Sequence, residues 1–377
     1  MKKEEIYEYD KEKRRKAKRY SFSKLVSQII GSIILPICIL LILLWTGLAQ
    51  EIASSLVDLT TIYLAVPLFI LLLVLILSLI SFPLDLYFGY FYEHKYGLSN
   101  QNLKEWFKDW SKSLFLSSLV SLIILSVIFA LINLTIYWWL LSWIFIFLFL
   151  IFAYFIFPIF VVPLFYNLEP YEEKEHREKL IDLCKEAGVK EIKKIQIANE
   201  SKRSKKPNAM FSGLGKTKNI ILFDTLVNKF KKEEIENIVG HELGHYLNKD
   251  TFRLTLFNGA IYFIGLYLTN FLLRMDLFGI PRTSPALITL LLLLLSIYSI
   301  IGMPVLNWYS RKREFEADKA GLAFSQNPRS FISAFKRMAD ESLSDDNPSR
   351  LVETIFYTHP SIKRRIENIE EEESGKN

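Results

Sequence analysis

The amino-acid sequence predicts a predominantly α-helical polytopic membrane protein, with about six transmembrane helices and one charged α+β region outside the bilayer. Three observations predict it. Of the 377 residues 51% are hydrophobic, and the mean hydropathy is positive at +0.23. Six apolar stretches reach the roughly 20 residues that a helix needs to cross a bilayer. One long charged segment interrupts them.

The stretches run from Leu25 to Leu48, Ile62 to Phe82, Leu114 to Leu134, Trp138 to Phe165, Leu254 to Leu273 and Ala286 to Tyr309. The polar head before the first is too long for a secretory signal, and no small-residue cleavage site follows the apolar run. Loop charge sets the expected orientation. The N-terminal arm is rich in Lys and Arg, densest from Lys11 to Lys24. The loop from Glu51 to Thr60 has neither, whereas the loop from Glu93 to Ser113 carries Lys95, Lys104, Lys108 and Lys112. The segment from Glu169 to Arg253 is charged throughout, the loop from Arg274 to Pro285 holds only two Arg, and the tail is charged again. Basic loops thus alternate, which places both termini and the long segment in the cytoplasm. The net charge of +6 and pI near 9.0 sit beside apolar stretches, so a lipid bilayer, not nucleic acid, is the expected partner. Cys38 lies in an apolar run and Cys184 in a charged one, so no disulfide framework or metal spacing is expected from them.

Four regions follow: residues 1–168 (arm and spans one to four), 169–253 (charged insert), 254–309 (spans five and six) and 310–377 (C-terminal segment). In the insert, helical periodicity runs from Glu173 to Glu186. Ile195 to Ala198 and Asn219 to Phe223 read as strands, with Asn208 to Gly213 expected to pair between them. Glu233 to Asn248 reads as a helix with acidic residues in its first turn and Ile235, Ile238, Val239, Leu243 and Tyr246 on one side.

That helix contains His241-Glu242-Leu243-Gly244-His245, an HExxH pattern. Residues four apart share a helix face, so both imidazoles can reach one ion. Imidazole nitrogen suits zinc. Glu242 stands beside them, placed to take a proton from water. With five His in the chain, a chance match is rare. One Zn2+ per chain is expected, in a zincin-like catalytic region. A catalytic zinc needs a third protein ligand, and Arg313-Glu314-Phe315-Glu316-Ala317-Asp318 offers Glu314 or Glu316. Spans five and six form a hairpin that returns the chain to the side it left, bringing this stretch back to the helix.

These residues resemble the peptidase family of the type I CAAX prenyl proteases, which includes bacterial heat-shock membrane proteases. The family pattern Arg-Arg-x-Glu-x-x-Ala-Asp is similar to Arg311-Lys312-Arg313-Glu314-Phe315-Glu316-Ala317-Asp318, and it selects Glu314 as the ligand. Ser201-Lys202-Arg203-Ser204, Asn208-Ala209, Ile221 to Leu226, Pro163 to Asn167 and Thr358-His359-Pro360 are similar to the prenyl-protease branch. The chain departs from it in two places. The prenyl proteases carry seven spans, the first having no counterpart here, and their Glu-Glu-Lys-His-Gly loop is Glu93-His94-Lys95-Tyr96-Gly97. The resemblance implies a zinc metalloendopeptidase acting on a peptide or protein substrate that is prenylated or membrane-associated. It implies Asp318 as the acceptor that orients a ligating His, and His359 as hydrogen-bond donor to the oxyanion, with Arg365 assisting it. It also implies Asn208 and Ala209 on an edge strand that holds the substrate backbone. The alternatives are a quality-control protease of membrane proteins and an idle membrane scaffold with structural zinc.

The remaining histidines read as bystanders: His176 as a solvated residue on a surface helix and His94 as interfacial. On the sixth stretch Asn307, Ser310 and Glu314 share a face, followed inward by Met303, Ser299 and Ser296. On the fifth, Thr255, Gly259, Tyr262 and Thr269 continue the face of the two His, with Asn258 beside it. These stripes either line a wet chamber or pack through small residues.

Overall fold

The computed structural model describes residues 6–189, 192, 194–212 and 218–374. Among them, six helices are long and apolar enough to cross a membrane. These are α1 (Lys11–Trp45), α3 (Ile62–Lys95), α4 (Leu103–Leu134), α5 (Trp138–Ile156), α8 (Asp250–Leu273) and α9 (Leu287–Ser325). The expected loop after the first span is instead a helix, α2 (Leu48–Leu59). Its Ala49 and Ala53 are buried against the bundle core, so an apolar edge within a polar stretch folded it.

The spans follow one another as packed neighbours from α3 through α4, α5 and α8 to α9, and α9 closes the ring against α1. Their main core gathers at one end. It holds Ile39 and Leu44 of α1, Phe69 and Leu73 of α3, Ile128 of α4, Trp138 of α5, Leu266 of α8 and Leu287 to Leu293 of α9. Between Leu293 and Asn307 only Gly302 of α9 is buried. Burial along α9 is thus dense at the end carrying the α8–α9 loop and sparse toward the other. The polar stripes divide accordingly. Gly259 meets the Phe147 ring and its carbonyl accepts from Trp143 Nε1 (2.7 Å), so it packs. Ser299 and Thr255 turn their hydroxyls onto carbonyls of their own helices, at Ser296 and Thr251.

The charged insert carries α6 (Lys174–Glu186), a four-stranded sheet and α7 (Lys232–Leu247). Strands β1 (Leu168–Pro170), β2 (Lys194–Ala198), β3 (Ala209–Ser212) and β4 (Asn219–Phe223) are ordered β1-β2-β4-β3. The expectation that 208–213 lies between the other strands is corrected for its described residues, Gly213 lying outside them: β2 pairs β4 directly and in parallel, and β3 is an edge strand. β3 pairs β4 antiparallel on the side that β2 leaves free. The sheet and α7 share a core of Ile220, Leu222, Ile235, Ile238, Val239 and Leu243.

Three helices end the chain: α10 (Pro328–Glu341), α11 (Arg350–Phe356) and α12 (Ile362–Ser374). The basic arm of α1 docks on α10, where Arg14 meets Asp340 (2.5 Å) and Lys13 meets Glu341 (2.6 Å).

Candidate active site

α7 and α9 cross in backbone contact. A Cβ on Gly244 would stand 2.9 Å from the Ala317 carbonyl oxygen, and one on Gly321 would stand 2.9 Å from the His241 nitrogen. The crossing needs the glycines because any side chain there would hold the helices apart. It lays the HExxH face of α7 against Glu314, which belongs to the same unbroken helix as the sixth span.

His241, His245 and Glu314 form a group whose three ligand atoms lie within 4.8 Å of one another. His241 Nε2 is 3.5 Å from Glu314 Oε2, and His245 Nε2 is 3.3 Å from Oε1. Both imidazoles turn the same nitrogen to this point because carboxylates hold the other. His241 Nδ1 is 2.8 Å from Asp318 Oδ1, and His245 Nδ1 is 2.9 Å from Asp250 Oδ2.

Sequence reasoning missed Asp250. The chain leaves α7 at Asn248, passes through Lys249 in the left-handed region (φ 54) and starts α8 at Asp250. That reversal folds Asp250 back onto His245. Arg313 then reaches Asp250 (3.1 Å) and pairs with Glu316, so Glu316 faces away from the three ligand atoms.

The group fits a metal ion. Glu314 Oε2 is buried without a hydrogen bond. Burial opposes the charged form of His245, yet Asp250 and Glu314 outweigh it and hold the imidazole up at about 10. Such a surplus of carboxylate around imidazole suits a divalent cation. Burial pushes the neighbouring Glu242 carboxyl above its ordinary range, against the pull of His241 and His245.

The C-terminal segment completes the site. His359 Nε2 lies 3.3 Å from Glu314 Oε1 on an imidazole 62% exposed. Arg365 is buried and grips Asp318 through Nε (2.8 Å) and a terminal nitrogen (2.5 Å), with its guanidinium over the Phe335 ring. The same terminal nitrogen lies 3.3 Å from His241 Nδ1 and 3.7 Å from Glu314 Oε2, so Arg365 stands beside both as well as against Asp318. Asn208 and Ala209 lie apart from the imidazoles, at the start of β3. The Asn208 carbonyl accepts from Phe223 N–H (3.1 Å). With this register, Ala209 and Phe211 turn their backbone groups to the open edge. The Asn208 side chain accepts from Ala209 N–H (2.9 Å).

His176 is corrected. It is fully buried, with Nδ1 2.8 Å from the Tyr171 hydroxyl and Nε2 3.8 Å from Glu236 on α7. It belongs to the α6–α7 interface. His94 is exposed and bonds the Tyr90 carbonyl (2.8 Å). Cys38 and Cys184 are both free thiols.

Residues 170–373 match the sequence model of peptidase family M48, and residues 4–167 match that of the CAAX prenyl protease N-terminal, five membrane helices. Four of the six long apolar helices fall in the latter range. The chain is 31% identical over 245 residues to a protein of Bacillus subtilis named uncharacterized metalloprotease YhfN, covering 63% of this chain and 57% of that one. It is 32% identical to the CAAX prenyl protease 1 homolog of Dictyostelium discoideum, over 51% of this chain and 46% of that one. It thus spans about half the length of the curated relatives it matches. Among solved structures, Ste24p of S. mikatae superposes with a TM-score of 0.82 at 25% identity, covering 96% of this chain and 89% of that one.

Proposed function

This chain belongs to peptidase family M48, and from that premise we propose that it is a membrane-embedded zinc metalloendopeptidase, one zinc per chain, held by His241, His245 and Glu314. The observation that carries the reading is the convergence of two imidazoles and a buried carboxylate on one point, with Glu242 beside it and Asp318 and Asp250 behind. Zinc supplies Lewis acidity for a scissile carbonyl and for water. Glu242 takes the proton of the attacking water and delivers it to the leaving amine, a task served by its raised pKa. The Thr358 hydroxyl lies 2.9 Å from His359 Nδ1. Donating there, it leaves the His359 proton on Nε2, free for the oxyanion of the tetrahedral intermediate. Arg365 keeps Asp318 ionised and in place for His241. The outward Ala209 carbonyl and the outward N–H and carbonyl of Phe211 take the substrate backbone as an added strand, with Asn208 at its end holding the Ala209 N–H.

The active site and both termini face the cytoplasm in this reading, supported by the alternation of basic loops. A prenylated C-terminus is the substrate supported by the names of the prenyl-protease relatives.

Hydrolysis of a peptide by the purified protein, with and without chelator and beside Glu242→Gln, tests the mechanism. Chelation abolishes cleavage, and the variant loses it while keeping its zinc. Equal cleavage by Glu242→Gln sinks the assignment. Farnesylated and unmodified forms of one peptide, compared at equal concentration, test the substrate class; equal kcat/KM removes the prenyl requirement.

A further inference from the structure

α9 presents four polar residues to the C-terminal segment at spacings of four, three and four: Asn307, Arg311, Glu314 and Asp318. Each holds a different part of it. Asn307 Nδ2 donates to the Ile355 carbonyl (2.6 Å). A single terminal nitrogen of Arg311 donates to the carbonyls of Glu353 (2.8 Å) and Tyr357 (2.6 Å). Glu314 faces His359, and Asp318 holds Arg365 on α12.

The second of these contacts has no part in the chemistry derived so far. The last carbonyls of any helix lack partners within it. α11 has only seven residues, ends at Phe356 and turns into extended backbone at Tyr357. The Glu353 carbonyl also accepts from Tyr357 N–H (3.2 Å), which closes the helix, and side chains from α9 meet the Ile355 and Tyr357 carbonyls; the guanidinium adds a positive charge where the helix dipole is negative. Arg311 is itself buried, so its cation relies on those carbonyls, together with the nearby Glu353 carboxylate, for compensation. Two residues beyond the second carbonyl stands His359, exposed and on no regular element of its own.

We propose that Arg311 is a positioning residue for His359: by clamping the carbonyls of Glu353 and Tyr357 it fixes the backbone from which the His359 imidazole reaches the reacting carbonyl. This rests on the reading of His359 as the oxyanion donor. Oxyanion donors act through fixed geometry, and a misplacement of about 1 Å costs on the order of a hundredfold in rate. Arg311 stands one turn from Glu314 on a rigid helix. The clamp therefore ties His359 to the same frame as the third metal ligand.

The test uses full-length Arg311→Met, Arg311→Lys, His359→Ala and the double variant Arg311→Met/His359→Ala. In the zinc-loaded enzyme, Arg311→Met lowers kcat about 10- to 100-fold while KM stays within about twofold. Arg311→Lys, which keeps an ammonium within reach of one carbonyl, restores part of it. In the His359→Ala background, Arg311→Met costs less than about twofold further. In the metal-free protein, hydrogen exchange rises at residues 353–361 in Arg311→Met, and to a lesser degree in Arg311→Lys, with α7 unchanged. A full-sized kcat loss that persists without His359, or exchange at residues 353–361 that does not change, overturns the proposal. Wild-type kcat in His359→Ala overturns the oxyanion reading alone, and the exchange result then decides the clamp. If Arg311→Met does not accumulate as folded protein, Arg311→Lys carries the same comparisons.

Discussion

Gly244→Ala is a one-carbon test of how the metal site is held. By helix propensity alone, alanine in a helix interior is favoured over glycine by about 1 kcal/mol. The crossing with α9 reverses the sign. The new Cβ would lie 2.9 Å from the Ala317 carbonyl oxygen, 3.0 Å from its Cα and 3.0 Å from Ala320 Cβ. Non-bonded heavy atoms settle at about 3.5–4 Å, so the helices must part by about 0.5 Å. Two of those neighbours are backbone atoms, which cannot rotate aside. Overpacking of this kind costs about 1–3 kcal/mol. Glu314 lies one turn from Ala317 and retreats with it, while His241 and His245 stay on α7. Ligand distances tolerate only about 0.2 Å, so zinc affinity falls on the order of 10- to 100-fold, as for loss of an outer-sphere partner. Gly240→Ala, whose Cβ would meet Gly321 atoms at 3.3 and 3.4 Å, shows a smaller loss. Competition with a chelator of known affinity reads the zinc constant, and thermal unfolding of the same samples reads stability. An affinity within twofold of wild type for Gly244→Ala, with unchanged or higher Tm, refutes the reasoning.

Other variants probe separate parts of the same frame. Asp250→Ala frees His245 Nδ1 and strips buried Arg313 of a partner; zinc affinity drops about 10- to 100-fold by chelator competition. Arg365→Met leaves Asp318 charged and buried, costing about 3–5 kcal/mol in unfolding experiments, whereas Arg365→Met/Asp318→Leu recovers part of that loss. Ala209→Pro replaces the N–H that the Asn208 side chain holds with a pyrrolidine ring projecting from the open edge of β3, and leaves the bond between Asn208 and Phe223 intact, so KM for peptide rises with zinc content unchanged.

The six spans and the two imidazoles proposed as ligands were legible because their signals are local: run length for the spans, a four-residue spacing on one helix for His241 and His245. Glu314 required topology and a family pattern, since seventy residues and a hairpin separate it from the imidazoles on the page but not in space. Asp250 was invisible because its contact depends on one left-handed residue, Lys249, which propensity does not announce. His176 was misread for a different reason. Its neighbours Lys174, Glu175, Arg177 and Glu178 are charged, yet His176, Leu180 and Cys184 recur at every fourth position and are all buried. The stripe was present in the sequence with a polar residue in it. The segment 208–213 was expected to pair with the strands around it, but nothing in the sequence told which side of β4 it would take.

The hairpin between His245 and Glu314 also gives the chain an order of events during its synthesis. The imidazole pair emerges first, then α8 must cross the bilayer and α9 must cross back before the carboxylate joins them. Two imidazoles alone make an incomplete site for zinc. A chain stalled on the ribosome, or inserted with one span missing, therefore holds no complete metal centre and none of the hydrolytic power proposed for it. For the proposed protease, insertion of both spans is thus a condition for a complete metal centre.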